Sequence, residues 1–192
     1  MKKRLCIVTL LFISLNSSGL FAHQIGEHYQ GGIVFWVDQK GEHGLVASTE
    51  DQHYLTTDGR GELYKVSWAV DNKIAGANKD GIFSGAYNTN RMIEAIPSNT
   101  DTLDIAGSMA ASYMGGEYGD WYLPSKYELN LMYEQRVLLQ LNAVGYWSST
   151  EIGIGGGAWV GCFRSGNYCN KGGTQEAKRR DEKYSVRAIR AF

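Results

Sequence analysis

Apolar and polar positions change period several times along the chain, and each change marks an element. Lys2, Lys3 and Arg4 precede a mainly apolar run over 5–15, which ends on Ser17, Ser18, Gly19 and Ala22, the charged, apolar, small-residue order of a signal peptide. Eleven residues fall well short of the roughly 18–20 needed to cross a bilayer. The expectation is a signal peptide over 1–22, cleaved after Ala22, with no transmembrane segment in the mature chain.

Beyond Ala22 the pattern is that of a folded domain. Residues 33–37 (Ile-Val-Phe-Trp-Val) and 45–48 read as strands by β-branched and aromatic content, joined by the turn-rich stretch 39–44 into a hairpin. Residues 49–67 are polar and irregular, and 68–77 is expected to form a short helix. A Gly/Asn/Asp-rich loop follows to 90, then short helices at 91–96 and 102–113, the second with Leu103, Ala106, Ala110 and Tyr113 at helical spacing. Ser125-Lys126-Tyr127-Glu128 is a capping box, and it predicts a helix from 125 to about 137 with Leu129, Met132, Tyr133 and Arg136 on one side. Further strands are expected at 146–149, 159–163, 168–171 and 185–192. Hairpin, then helices, then antiparallel strands make this an α+β fold and not an alternating βαβ one.

Composition narrows this picture to one domain over 23–192. Such a length buries roughly 70% of the surface of its unfolded chain. Of the 24 glycines, 23 lie after Ala22, while prolines number only two; that balance signals tight turns and not disorder.

Two cysteines remain after cleavage, on either side of the turn-like Arg164-Ser165-Gly166-Asn167. A hairpin centred on Ser165-Gly166 would set Cys162 opposite Cys169, within disulfide reach in an oxidising compartment. A structural clip is favoured over a redox or copper-binding thiol pair, since no histidine lies near in sequence.

Charge is uneven. Lys plus Arg number 19 against 20 acids, and removing Lys2, Lys3 and Arg4 leaves −4. Within that acidic chain, residues 171–190 hold seven cations and three acids, a local +4, whereas 23–170 hold nine and seventeen, a local −8. Lys171, Lys178, Arg179, Arg180 and Lys183 therefore form the candidate site for an anionic glycan, with Lys178-Arg179-Arg180 and Lys183 expected in a solvent-facing loop. A nucleic-acid partner does not fit an exported acidic chain. Trp36, Trp121, Trp147 and Trp159 read as core, and Arg187 or Arg190 as the hub of a structural ion pair. His28, His43 and His53 are isolated, so no metal site and no cofactor are expected. Hydrolase elbows, phosphate loops and the His-Glu-x-x-His pattern are all missing from the sequence.

Several phrases together resemble a known family. Gly31-Gly32-Ile33-Val34-Phe35-Trp36-Val37-Asp38, Gly119-Asp120-Trp121-Tyr122-Leu123-Pro124-Ser125, Tyr146-Trp147-Ser148-Ser149-Thr150-Glu151 and the closing Val186-Arg187-Ala188-Ile189-Arg190-Ala191-Phe192 are similar, in that order, to the Lcl C-terminal domain family. The resemblance implies a C-type-lectin-like fold, shared with formylglycine-generating enzymes. It also implies an adhesin-like module that binds sulfated glycosaminoglycan or a similar polyanionic polysaccharide on a cell surface. It carries a homotrimer as a further expectation, although the collagen segment that would drive trimerisation is absent from this sequence. The Glu-Pro-Asn and Gln-Pro-Asp tripeptides of calcium-dependent lectins are absent too. The expected function is thus an exported, non-catalytic, glycan-binding module, secreted, periplasmic or surface-associated. The alternatives are an oxidoreductase resembling the formylglycine-generating enzymes and using Cys162 and Cys169, or a purely structural envelope protein.

Overall fold

Ile33, Val34 and Phe35 cannot all bury on one face of a strand, because successive side chains point opposite ways. The protein covers both faces. Ile33 and Phe35 pack in one cluster with Leu45, Ala47, Leu129 and Met132, while Val34 packs in another with Val46, Trp121 and Trp147. A sheet buried on both sides reads as a continuous apolar run, which is the pattern seen at 33–37.

The computed structural model describes residues 22–55, 61–62, 65–71, 73–98, 105–153 and 156–192, without the side chains of 54, 55, 61 and 62. Of the expected signal peptide, residues 1–21 lie outside this set, as does the start of the helix expected over 102–113. The first sheet is antiparallel, in the order β1 (His28–Tyr29), β2 (Gly32–Val37), β3 (Gly44–Ser48) and β9 (Ile189–Ala191). A bulge between Val34 and Trp36 shifts the β2–β3 register, so that Ile33 faces Ala47 and Trp36 faces Leu45. Short strands β4 (Tyr54–Leu55) and β5 (Gly61–Glu62) pair with each other. The second sheet, also antiparallel, runs β6 (Gly145–Ile152), β7 (Gly157–Cys162), β8 (Thr174–Arg179). Helices α1 (Ser84–Glu94) and α3 (Lys126–Glu134) pack on it, and α2 (Ala106–Ala111) packs on α1. The architecture is α+β, as the order of elements implied.

Several boundaries differ from the sequence reading, two of them for a plain tertiary reason. Residues 68–71 and 73–77 are not helical. Instead the amides of Ala75, Gly76 and Ala77 all donate to the buried Glu151 carboxylate, at 3.1, 2.7 and 3.1 Å, and the left-handed Gly76 (φ +75°) lets three successive N–H groups converge there. Helix α1 starts at Ser84, well before the expected 91, although Gly85, Asn88, Thr89 and Asn90 are poor helix formers. Packing overrides propensity: Asn88 Nδ2 donates to Lys79 O at 2.7 Å, Thr89 Oγ1 accepts from Leu123 N at 3.0 Å, and a Cβ on Gly85 would stand 2.5 Å from Leu123 O. The strand expected at 168–171 is a turn, and β8 forms further along. Of the stretch 185–192, only β9 is regular strand.

The capping box is present. Ser125 Oγ accepts from Glu128 N at 3.2 Å, and Glu128 Oε2 accepts from Ser125 N at 2.7 Å and Gly85 N at 3.1 Å. Burial pushes the Glu128 carboxyl up from its ordinary value, against the lowering effect of Ser125. The helix it opens ends at Glu134, three residues before the expected limit, and gives way to turns. Because Ser125 Oγ also donates to Gly81 O at 2.9 Å, Ser125→Ala is expected to lower stability by about 1–2 kcal/mol. A urea midpoint equal to that of the unchanged protein would refute the cap's contribution.

Candidate functional site

The five basic residues singled out in the sequence do not form one solvent-facing loop. Lys178 and Arg179 belong to strand β8, because that strand, and not 168–171, is the partner of β7. Lys178 Nζ reaches Glu176 at 2.8 Å and is only 15% exposed, so much of its charge is already answered. The same contact holds the Glu176 carboxyl below its ordinary value. Arg179 is exposed but engages Asp181 through two bonds, at 2.9 and 2.6 Å.

Arg180 is the clearest departure from expectation. It is 2% exposed and ion-paired with Glu151, itself buried. Its Nη1 also donates to Lys73 O at 2.5 Å, and its guanidinium lies 5.0 Å from the centre of the Trp68 ring. A polymer in solvent has no access to this group. Glu151 calls it inward: a carboxylate buried on β6 needs a cation as well as the three amides of 75–77. Lys171 and Lys183 are exposed and make no ion pair with a described residue.

Lys183 has a neighbourhood that the sequence did not reveal. With Lys65, Tyr168, Glu182 and Tyr184 it lines an open depression of about 350 Å³, within the range of about 300–1,000 Å³ typical of small-ligand sites. Lys171 is not among its lining residues. Tyr184 is the buried wall: its hydroxyl bonds Glu182 Oε2 at 3.0 Å, and Trp147 packs edge-on against its ring at 4.9 Å. Burial, reinforced by the Glu182 carboxylate, pushes the Tyr184 phenol up, so it stays a neutral donor.

Tyr168 is the open wall. It is 71% exposed, and its φ of +75° places it in the left-handed region that a bulky residue rarely adopts. A tight turn imposes this: Gly166 N donates to Cys169 O at 3.0 Å and Cys169 N to Gly166 O at 3.1 Å.

The turn is clipped by a disulfide between Cys162 and Cys169, with Cα atoms 5.6 Å apart. The pairing is as expected, but its setting is not. Across the strands Cys162 faces Thr174, and Cys169 reaches it from the intervening turn. Both cysteines are 1% exposed, which accords with a structural clip.

The remaining candidates mostly fall into the frame of the fold. Arg187 and Arg190 are both ion-pair hubs. Arg187 binds Asp51 at 2.8 Å and the carbonyls of Ser48 and Leu139, and Arg190 grips Asp120 through two bonds at 2.7 and 2.8 Å. That grip holds the Asp120 carboxyl below its ordinary value. Trp121 and Trp147 are core. Trp36 and Trp159 are only partly covered, and Lys126 Nζ lies 3.7 Å from the centre of the Trp159 ring. No group of three or more metal-ligating side chains forms among the described residues, and no described helix is long and apolar enough to cross a membrane. No protein-family model and no curated protein matches the chain.

Proposed function

We propose that the protein is an exported, non-catalytic binding module that takes a polyanionic glycan at the depression between Lys65, Lys183 and Tyr168. The observation that carries this reading is the pairing of two exposed lysines with an exposed aromatic ring in one concave place. Ammonium groups attract sulfate or carboxylate, and a ring face packs against the apolar face of a sugar. The resemblance to the Lcl C-terminal domain family supports the same ligand class. The site keeps only Lys183 of the basic residues proposed from sequence and adds Lys65 and Tyr168 from elsewhere in the chain.

Exposed charge contacts contribute about 0.2–1 kcal/mol each, so Lys65→Ser with Lys183→Ser should weaken binding about two- to thirtyfold. Neither change removes a described ion pair, so the fold should survive both. On a heparin column at low salt the protein should be retained, and rising salt should release it, since screening acts within about 8 Å at physiological ionic strength. The double variant and Tyr168→Ala should elute earlier. Lack of retention at low salt, or elution of the double variant with the unchanged protein, would sink the reading.

A further inference from the structure

A second positive depression lies where the chain leaves α3. Arg136, Gln140, Asn142 and Arg164 form its polar rim, over a floor that includes the buried Leu141 and Phe163, around a volume of about 340 Å³. It shares no lining residue with the depression at Lys65 and Lys183, and none of its lining residues is acidic.

The two arginines differ from the rest of the described set. Arg91, Arg179, Arg180, Arg187 and Arg190 each hold a carboxylate. No described carboxylate lies within salt-bridge reach of Arg136 or Arg164, yet both face the same hollow. Each is held in place by a single backbone contact. Arg136 Nη1 donates to Tyr133 O at 3.0 Å while its guanidinium lies 4.4 Å from the centre of the Tyr133 ring, and Arg164 Nη1 donates to Asn142 O at 3.3 Å. A guanidinium carries five N–H donors, so most of each fork is left for a ligand. Val137, 83% exposed on the rim, supplies apolar surface beside them.

The geometry points to a binding site for a small ligand bearing an oxyanion, gripped by Arg136 and Arg164 with its apolar part against Val137. Guanidinium forks match the paired oxygens of carboxylate and sulfate, and two of them around one hollow favour a doubly held anion. The rim amides of Gln140 and Asn142 add neutral donors. The site is independent of the lysine depression and stands whether or not that one takes a polymer.

Calorimetric titration of the purified protein at low salt with N-acetylalaninate, a planar carboxylate, and with methyl sulfate, a tetrahedral oxyanion, tests this. At least one probe should bind saturably, and the tighter of the two identifies the group the site prefers. Arg164→Gln, on an exposed turn, should weaken that probe about tenfold or more, and Arg136→Gln with Arg164→Gln should abolish saturation. Lys65→Ser with Lys183→Ser should leave it unchanged. Absence of saturable binding by both probes, unchanged affinity in Arg164→Gln, or loss of binding in the lysine variant would each overturn the assignment.

Discussion

Replacing Arg180 by Ser is expected to lower the unfolding free energy by about 3–5 kcal/mol, because it strips a buried carboxylate of its counter-ion. Glu151 would keep the three amides of Ala75, Gly76 and Ala77, but amides alone do not neutralise a charge held away from water. The loss spreads along the chain: Arg180 Nη1 also donates to Lys73 O, and its guanidinium lies over the Trp68 ring. Removing both ions does not rescue the site, since the amides of 75–77 would then be buried without an acceptor. Arg179→Ser is the matched control, one residue away in an exposed pair, where about 0–1 kcal/mol is expected. Urea unfolding of the two variants side by side measures the contrast. Equal midpoints would show that Glu151 is satisfied without Arg180.

How much of the molecule was legible in the sequence depends on the range over which each feature acts. The capping box at Ser125 and Glu128 and the apolar runs of β2 and β3 are local, and they were readable because the residues that decide them lie within a few positions of one another. The helix expected at 68–77 failed because its amides answer to Glu151, more than seventy residues further on. Arg180 failed for the reciprocal reason: Lys178-Arg179-Arg180 is a basic run in sequence, but β8 ends at Arg179, and Arg180, in the turn just past it, meets a buried acid on another strand. The candidate site was the least legible part. Lys65 and Lys183 are distant in sequence and converge only through the bridge of Val66 to Tyr184. The signal that could have marked it is modest: Tyr168, a lone aromatic in a glycine- and asparagine-rich turn beside a cysteine.

Replacing Cys162 and Cys169 together by Ala is expected to lower stability by about 2.5 kcal/mol, the loop-closure entropy that so short a crosslink removes from the unfolded chain. At this chain length that corresponds to a fall of roughly 5–10 °C in Tm. Packing adds to the entropic loss, because both cysteines lie in the larger core cluster, and Cys169 Sγ closely abuts Gly145, leaving 3.1 Å to a built Cβ. The same bridge fixes the turn that holds Tyr168 in its left-handed conformation, so the variant should elute earlier from heparin even below its melting temperature. That separates a clip that merely stabilises from one that also shapes the binding depression. Alkylation under native, non-reducing conditions should label neither Cys162 nor Cys169. Ready labelling of both, or a double variant that melts with the unchanged protein, would remove the bridge from the account.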